Sequence, residues 1–543
     1  MDDKKLYEMG ENLFSKRSSL VNYWQDVAEN FYPERANFTG GTITADGSFA
    51  SNLATSYPIM ARRDLGSAFS SMLRPTQKEW FKMTIRDKDR LDSEAKLWLE
   101  WATKLQRRAM YDRSSKFSRA TKEGDHDFAC FGQTVISVQP NRNVDGLLYR
   151  CWHLRDVAWN ENESGDICSI FRKWKPTIYD LVRLFPADSL SPDTVKRLNH
   201  EPYEECNIMH MVVESSISDY GFRTPFTSIF YDPDHNKTIE KVGLYSPMYI
   251  VPRWETVSGS QYAYSPAVVA ALPDARLLQS MTATLLEAGE KMTNPPMIAV
   301  EEAIRSDVSI YAGAITWVDA AYDERLGEVL RPLTQDKSGM PLGIDMQRDT
   351  RAMLMEAFYL NKLSMPNRAP EMTAYEVGQR IQQYIRDALP LFEPMESEYN
   401  GALCEETANI MLRAGAFGSM LDMPKSLRGQ DIEFVFESPL HDAVEREKGN
   451  RFFEAQQFTG SALQLDPSAG ALVDVHEALR DVLEGIGVPA KWVRDEKDVQ
   501  EMLKAQQAQQ QNAQLIDNMS KGADIASTLG DANQKFNATQ GVM

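Results

Sequence analysis

The sequence is poor in the features that mark disulfide frameworks, metal centres and membrane anchors. Its five cysteines (Cys130, Cys151, Cys168, Cys206 and Cys404) are odd in number, widely spaced and form no CxxC pair. This usage is typical of reduced thiols in the core of an intracellular protein and argues against a disulfide scaffold or a zinc site. No run of about 18 apolar residues occurs, so no membrane-spanning helix is predicted. The acidic, amphipathic N-terminus is not a secretory signal.

Basic residues are outnumbered, which limits the kinds of nucleic-acid binding the chain can perform. The formal net charge is −19 over 543 residues. Proteins that grip nucleic acid over their whole surface present dominant basic patches, so that class is disfavoured, whereas weak handling of DNA is compatible with an acidic chain. A hydrophobic content of 43% is ample for globular folding, and the length predicts three or four subdomains.

The sequence motifs of common enzymes are also missing. There is no GxxxxGK[ST], no GxGxxG after a strand, no HExxH and no GxSxG. The sequence therefore does not support nucleotide binding, zinc-dependent proteolysis or hydrolysis by a serine in a nucleophile elbow. We predict no catalytic residue, no metal site and no cofactor.

Three sets of polar residues are interpreted as structural rather than catalytic. The triplet Asp125-His126-Asp127 is interpreted as a solvated turn, because adjacent side chains rarely bind one ion. His210 lies between two methionines in a predicted strand and is interpreted as a hydrogen-bonded core histidine. Four acidic residues on the predicted long helix that starts at Thr373 are interpreted as a solvated helix face rather than an acid–base pair. They are Glu396, Glu398, Glu405 and Glu406.

The N-terminal half predicts helices followed by an α+β region. Residues 1–125 have helical apolar spacing, ended first by Pro33 and later by Pro75, and "KEWFKMTI" predicts a strand. Between about 130 and 260, short β-branched or aromatic runs alternate with turn signals. The predicted strands are "QTVISVQP", "LLYRCWHL", "ICSIFRKW", "IMHMVVES", "TSIFYDP" and "MYIVPRW". A helical insert, "TIYDLVRLF" and then Ser191-Pro192 as N-cap and N1, interrupts them.

Residues 265–294 predict a long helix that starts at a Ser-Pro pair and ends at "NPP". One stripe is apolar and the opposite stripe is polar. The helix is therefore expected to pack against other elements through its apolar side while its polar face remains exposed to solvent. The apolar stripe consists of Leu277, Met281, Leu285 and Ala288, and the polar stripe of Arg276, Ser280, Thr284, Glu287 and Lys291.

The segment that follows is acidic and leads into a helix–loop–helix pattern. Residues 295–344 hold eight acidic and four basic residues, with short predicted strands. A second helix is predicted over about 345–363, then a Pro-rich loop with locally basic character. Thr373 opens a capping box for a long helix to about Arg413, kinked at Pro390 and Pro394. Its end is marked by Gly415 and Gly418. The last 40 or so residues are rich in Gln, Ala and Asn.

This order of elements, with four motifs, resembles the head-to-tail connector (portal) family of short-tailed, podovirus-type bacteriophages. The motifs are "NYWQDVAENFYPERANF", "ARRDLGSAFSSMLRPTQKEWFKM", "SPAVVAALPDARLLQSMTATLLEAGEKMTNPPMIA" and "EMTAYEVGQRIQQYIRDALPLFEPMESEYNGAL". Together they cover Asn22 to about Leu440. The third and fourth are the most specific, whereas the acidic segment and the tail match no family pattern.

The resemblance implies a mixed α+β, helix-rich portal fold that assembles into a ring with a central channel. Its parts map onto the chain as a wing (1–264), first stem helix (265–294), clip (295–344), second stem helix (345–363), tunnel loop (364–372), long kinked wing helix (373–415), crown (416–505) and C-terminal tail (506–543).

The resemblance also implies a function without catalysis. The expected assembly is a homo-oligomeric ring of twelve at one capsid vertex of the virion, assembled in the host cytoplasm. Double-stranded DNA is packaged through its channel by the terminase large subunit and later ejected. Tail adaptor proteins and scaffold or capsid proteins are the other implied partners, with no membrane involved.

Two groups of site residues follow from this mapping. The tunnel loop and stem are expected to face the DNA through Arg348, Arg351, Lys362, Met365, Asn367 and Arg368. The clip is expected to dock terminase and adaptors through Glu301, Glu302, Asp323, Glu324 and Glu328. The alternative for the basic residues on the second helix is a solvated helix face, and the alternative for the loop is an ordinary surface hairpin.

Two other classes of protein stay open from the residues alone. A metal-dependent hydrolase could use Glu301 with Glu302, or Asp323 with Glu324, but would need further ligands from separate elements. A monomeric scaffold or adaptor would lack a channel, and its native mass would separate it from a ring of 61.5 kDa subunits.

Overall fold

A computed structural model of the chain gives the fold. It describes residues 1–40, 53–86, 91–141, 146–218, 223–299, 330–332, 339–363, 395–419, 422–436, 475–485 and a few short stretches after 450. The chain divides into two compact units. The larger, called the body below, comprises Met1–Lys82, Ala102–Ser419 and Phe434–Ala443. The second comprises Met83–Trp101, Met420–Glu433 and Val444–Met543.

The N-terminal helical run is split by a buried arginine. Helix α1 spans Asp3–Lys16 and α2 spans Ser18–Phe31, whereas the sequence pattern predicted continuous helical spacing. Arg17 between them is 4% exposed. Its guanidinium donates to the carbonyl oxygens of Leu154 and Val157, so these buried hydrogen bonds fix the junction.

Three further helices build the N-terminal side of the chain. They are α3 (Tyr57–Leu73), α4 (Ser93–Met110) and α5 (Phe117–Phe131). Helix α5 ends at Gly132, whose φ is +73°. A side chain there would overlap the backbone of Tyr264, so glycine is required both for the left-handed cap and for the close approach.

Two antiparallel sheets form the α+β region of the body, and all six predicted strands in it are confirmed. The three-stranded sheet has the order β3-β2-β9 and the five-stranded sheet the order β4-β5-β6-β7-β8. The first sheet contains β2 (Val135–Pro140), β3 (Leu147–Trp152) and β9 (Tyr249–Ile250). The second contains β4 (Val157–Glu161), β5 (Ile167–Trp174), β6 (Ile208–Glu214), β7 (Phe226–Asp232) and β8 (Lys237–Leu244).

The sequence patterns missed β4 and β8 but placed the helical insert. Helices α6 (Ile178–Leu184) and α7 (Pro192–Arg197) lie between β5 and β6. Ser191 caps α7 and its side chain accepts from the amide of Asp193, as predicted. The predicted strand "KEWFKMTI" is β1 (Phe81–Ile85), which forms a two-stranded sheet with β14 (Ile432–Phe436).

Apolar side chains from helices close the five-stranded sheet on both faces. Leu6 of α1 packs with Phe171, Met211 and Ile229 in one buried cluster. Leu181 of α6 packs with Ile208 and other apolar residues in a second cluster. Burial of such side chains is the main force that holds helices on a sheet.

The C-terminal half of the body carries a pair of long helices. Helix α8 spans Pro266–Thr293 and α9 spans Gly339–Ala357, followed by the short α10 (Leu360–Leu363). The remaining elements are β10 (Glu255–Thr256), β11 (Ala263–Tyr264), β12 (Met297–Ala299), β13 (Leu330–Pro332), a π-helical turn (Met395–Gly401), α11 (Ala402–Arg413) and α12 (Val475–Gly485).

Helix α8 matches its prediction to within one residue, but the second helix differs. It begins at Gly339 rather than near 345, and it breaks before Lys362. Tyr359 has a φ of +57°, which ends regular helix geometry. Phe358 is fully buried against Phe31, with ring centroids 5.4 Å apart, so tertiary packing stabilises the break.

The end of the long C-terminal helix agrees with its prediction. Helix α11 ends at Arg413, and both Gly415 and Gly418 have positive φ. The predicted capping box at Thr373 and the prolines at 390 and 394 lie outside the described residues. Within the described ranges, no helix combines the length and the apolar character needed to cross a bilayer.

Candidate functional site

The two long helices form an antiparallel helical hairpin, defined here as α8, β12, β13 and α9. Gln347 Nε2 donates to Thr282 Oγ1 at 2.8 Å. One turn earlier in α9, Gly343 lies against Leu285, which is one turn later in α8. The strands β12 and β13 pair antiparallel beyond the helices, with Met297 opposite Pro332.

A hydrogen-bonded cap fixes the start of the hairpin to the rest of the body. Ser265 is the N-cap of α8 and Pro266 is its first residue. The Ser265 hydroxyl donates to the carbonyl oxygen of Ala129 at 2.7 Å and accepts from the amide of Val268. The Ser-Pro signal in the sequence therefore caps the helix and also ties it to the end of α5.

Polar contacts hold the N-terminal half of α8 in place. The side-chain oxygen of Gln279 accepts from the amides of Ala54 and Thr55 at 2.9 and 3.0 Å, and its Nε2 donates to the Thr55 carbonyl. Arg276 forms an ion pair with Asp26 of α2. No sequence pattern predicted these contacts, because their partners are more than 200 residues away.

The polar stripe predicted on α8 is solvent-exposed along its whole length. Arg276, Ser280, Thr284, Glu287 and Lys291 are all exposed, and Lys291 pairs with Glu287 within the helix. Three of the four residues in the predicted apolar stripe are half-buried, but Leu277 is 46% exposed. The buried side of α8 lies in its N-terminal half and consists of Ala267, Val268, Ala271, Leu272, Ala275 and Leu278.

The predicted basic residues of the second helix have three different environments. Arg348 is 78% exposed and lies 3.7 Å from Asp345. Arg351 is half-buried, with its guanidinium 5.5 Å from the ring centre of Tyr57. Lys362 is exposed near Tyr359, beyond the break after α9. The break interrupts the helix between Arg351 and Lys362, so the three do not form one straight helical stripe.

The other predicted site residues lie outside the described residues. They are Met365, Asn367 and Arg368 of the proposed tunnel loop, and Glu301, Glu302, Asp323, Glu324 and Glu328 of the proposed clip.

Apolar side chains on the hairpin remain exposed in the single chain. On α9, Leu342 is 64% exposed and Met353 is 56% exposed, and Ile344 and Met346 are also exposed. On α8, Leu277 and Leu286 are exposed. Exposed apolar groups of this density on one element are typical of a protein–protein contact surface.

The prediction of a solvated turn at Asp125-His126-Asp127 is wrong. These residues lie within α5, and both carboxylates are buried. Asp125 pairs with Arg74, and Asp127 accepts two hydrogen bonds from Arg35 at 3.0 and 2.8 Å. Buried charges are stable only when paired and hydrogen-bonded, and here each has an arginine from a distant segment.

The buried Arg74 also reaches the start of the C-terminal helix. Its Nη1 donates to Asn400 Oδ1 at 2.5 Å, and its guanidinium lies 4.6 Å from the ring centre of Tyr399. Both belong to the π-helical turn before α11. This network therefore joins α3, α5 and the C-terminal helical segment by polar contacts inside the body.

The remaining polar predictions have mixed outcomes. His210 is a buried core histidine, bonded to Tyr249 Oη at 2.6 Å and to Ser228 Oγ at 2.8 Å, as predicted. Glu406 is 6% exposed, which contradicts a wholly solvated acidic face. It accepts from Ser246 at 2.7 Å, and burial raises the pKa of its carboxyl group.

The cysteines agree with the prediction of reduced thiols. All five are free, with Cys130, Cys168 and Cys404 buried. In the part of the chain that the structure describes, no three His, Cys, Asp or Glu side chains are grouped as metal ligands.

Comparison with known proteins identifies the family. The family model described as "Bacteriophage head to tail connecting protein" matches residues 3–493. The "Probable portal protein" of Bordetella phage BPP-1 is 23% identical over 547 aligned positions, covering 98% of this chain and 96% of that protein. The "Portal protein" of Salmonella phage epsilon15 is 22% identical, with the same coverage.

Solved structures from a gene transfer agent (GTA) are also similar, but weakly. A chain of the virion of a native GTA particle has a TM-score of 0.28 at 8% identity, covering 70% of this chain and 91% of that one. A chain of the neck of an empty GTA particle has a TM-score of 0.29 at 9% identity, with equal coverage. Scores this low carry no weight for the fold.

The family match confirms the resemblance drawn from the four sequence motifs. It covers most of the chain and both halves of the helical hairpin. Connecting proteins of this kind are structural, so the prediction that the chain is not an enzyme is confirmed as well. The chain belongs to the family of bacteriophage head-to-tail connecting proteins.

Proposed function

We propose that this chain is the subunit of a closed ring of twelve copies at one vertex of a phage capsid, with a central channel for double-stranded DNA. The observation that supports this most is the helical hairpin, which is anchored at its base to the rest of the body and exposes both a polar face and apolar residues. Such a hairpin can contact neighbouring subunits through its apolar residues and face a water-filled channel with its polar side.

The apolar residues of α9 are proposed to contact the next subunit. Leu342 and Met353 are more than half exposed in the single chain. In a ring, each subunit presents one surface to the neighbour before it and a different surface to the neighbour after it, and rotation closes the contact. Covering these residues in every subunit removes the apolar area that the isolated chain leaves in water.

The polar face of α8 is proposed to line the channel. DNA must be held there without being gripped, because each phosphate that a cation neutralises releases counterions and adds affinity. Serine and threonine, with Glu287 and Lys291 paired to each other, offer hydrogen bonds with little net positive charge. The net charge of −19 agrees with a conduit whose basic groups are few.

A ring of basic residues at the narrowest part of the channel is the second element of the proposal. Arg348 and Lys362 are exposed, and Arg351 lies one turn after Arg348. The proposed tunnel loop adds Met365, Asn367 and Arg368, with Pro366 and Pro370 restricting its backbone. This loop is proposed to keep the duplex centred while it slides.

The acidic segment at the tip of the hairpin is proposed as the clip. Strands β12 and β13 bring its two ends together, so residues 300–329 are attached at the end of the hairpin farthest from its anchored base. We propose that the terminase large subunit and later the tail adaptors dock there, at Glu301, Glu302, Asp323, Glu324 and Glu328. Scaffold and capsid proteins are proposed to contact the body.

Deletion of Met365–Glu371 tests the tunnel loop. Rings should still assemble, whereas packaging or retention of DNA in particles should fall. Truncation after Lys504 provides the control, because it removes residues outside the proposed channel and should leave ring formation unchanged. Normal packaging by the deletion variant would remove the loop from the mechanism.

Charge reversal of Glu301, Glu302, Asp323 and Glu324 tests the clip. The ring should keep its mass while its binding to purified terminase weakens, since the docking charges have changed sign. Terminase binding equal to that of the unmodified ring would show that docking occurs elsewhere.

A further inference from the structure

A small basic pocket lies on the body, and none of its lining residues belongs to the helical hairpin. It is lined by Thr76, Lys104, Arg107, Arg108 and Tyr111, and has a volume of about 260 Å³. Three of its five residues are cations, spaced i, i+3 and i+4 on the last two turns of α4, and none is acidic. This local positive charge contrasts with the net charge of −19 of the whole chain.

The pocket is held in place by contacts that orient its donors. Arg107 Nη2 donates to the carbonyl oxygen of Thr76 at 2.6 Å, which ties α4 to the turn after α3. The guanidinium lies 5.6 Å from the ring centre of Tyr111. Arg107 therefore does not simply cap the carbonyls of its own helix, which is the ordinary role of an arginine at a helix C-terminus.

Two groups at the pocket have donor capacity to spare. Arg107 Nε is buried and has no hydrogen-bond acceptor among the residues that the structure describes. Tyr111 Oη accepts from Nε1 of Trp80 at 3.0 Å, so its own hydroxyl proton is available for another acceptor. Trp80 is fully buried, and burial raises the pKa of Tyr111, which keeps the phenol protonated at neutral pH.

The size of the pocket restricts what can occupy it. Pockets for drug-sized ligands and cofactors have volumes of about 300–1,000 Å³, and this one falls below that range. Side chains with a guanidinium, an ammonium and a phenol line this space, and such donors match a tetrahedral oxyanion with several acceptor oxygens. A single phosphate group meets both the size and the donor pattern.

We propose that this pocket binds one phosphate group of the DNA backbone, at a site separate from the channel lining. The inference builds on the proposed function only in taking DNA as the source of the phosphate. None of the pocket residues belongs to the hairpin, so the site would hold DNA that lies against the part of the body outside the hairpin.

Duplex DNA of 20 base pairs is the probe, with binding measured by fluorescence anisotropy on the full chain at several salt concentrations. The test variant combines Lys104→Gln and Arg108→Gln. The control combines Arg119→Gln and Lys122→Gln, which removes the same charge from an exposed part of α5. Circular dichroism and thermal melting establish that both variants fold.

The expected result is specific to the pocket. Affinity should fall roughly fivefold in the test variant, and the slope of log K against log salt should decrease by about one, the change expected for one lost phosphate contact. The control should change both much less. Equal behaviour of the two variants would overturn the proposal, since the effect would then be one of net charge.

Inorganic phosphate provides an independent arm. At matched ionic strength it should displace DNA from the unmodified chain more than chloride does, and this difference should vanish in the test variant. A pocket that responds to inorganic phosphate while DNA binding is unchanged in the test variant would also overturn the proposal, with free phosphate as the occupant. Failure of the chain to form rings would refute the proposed function without changing this comparison.

Discussion

Arg74 and Asp125 form an ion pair in the interior of the body, with side chains that are 2% and 0% exposed. Arg74 is the C-cap of α3, and Asp125 lies in the middle of α5, 51 residues later. The same guanidinium donates to Asn400, so one arginine links the N-terminal helices to the start of α11. The charged guanidinium of Arg74 therefore stabilises the packing of these elements in the body.

Replacing Asp125 by alanine should therefore destabilise the fold strongly. The change leaves Arg74 buried and without its carboxylate, a loss of about 3–5 kcal/mol in the free energy of unfolding. Chemical denaturation of the purified chain measures it. Glu123→Gln is the matched control, because its ion pair with Arg119 is exposed and should contribute little. Similar losses for the two variants would contradict a special role for the buried pair.

A glycine sets the distance between α3 and α5. A methyl group at Gly66 would overlap the imidazole of His126. Gly66→Ala should lower the free energy of unfolding by about 1–3 kcal/mol, since the helices must move apart or the ring must shift. Gly289→Ala in α8 is the control: apart from the adjoining backbone of its own helix, no atom of the described residues lies within 4 Å of a methyl group there, and alanine should stabilise the helix by up to about 1 kcal/mol. A neutral Gly66→Ala would show that His126 adjusts freely.

Half-buried histidines predict a loss of stability in acid. Burial, with Arg35 and Arg155 nearby, lowers the pKa of His153 to about 3. Burial and Arg62 lower the pKa of His126 to about 4. The unfolded chain takes up these protons near pH 6.5, whereas the folded chain does not. Their contribution is thus complete above about pH 6.5 and is lost as the pH falls toward the folded pKa values.

His153→Asn isolates one of these contributions. Asparagine keeps a side-chain acceptor for the amide of Arg155, which now bonds to His153 Nδ1 at 3.0 Å. Between pH 7 and 4, the unmodified chain should lose about 1–3 kcal/mol more unfolding free energy than the variant. Denaturation curves at both pH values measure the difference. Parallel pH profiles would show that the folded state admits the proton at His153.

The exposed apolar residues of the hairpin predict a sensitive assembly. Leu342→Glu combined with Met353→Glu places two charges in the proposed subunit contact and should convert rings into smaller species. Ser280→Glu with Thr284→Glu adds the same charge to the polar face of α8 and should leave the ring intact. Native mass spectrometry distinguishes the two. Intact rings from the first variant would move the subunit contact elsewhere.

The sequence predicted the regular parts of the fold well. Helix α8 could be located from its Ser-Pro start and apolar spacing, and α7 from its cap, because these signals are local. Strand β8 was missed because "KTIEKVGL" carries three charged residues and reads as polar. It is a strand because it pairs with β7 at the edge of the sheet, a non-local cause that sequence patterns do not show.

The buried charges could not be inferred for a similar reason. Aspartate is almost never fully buried unless paired, so Asp125 and Asp127 pointed to solvent. Their partners, Arg74 and Arg35, lie 51 and 92 residues away. The break at Tyr359 was also invisible, because it depends on Phe358 finding Phe31 in α2. Of the candidate site, only α8 and its polar face were placed correctly by local pattern.

The native mass of the purified chain, combined with electron microscopy class averages, tests the central claim most directly. A ring of twelve 61.5 kDa subunits with a central hole is the predicted result. A species that stays monomeric or dimeric across several buffers would contradict the ring and, with it, the channel assigned to the helical hairpin.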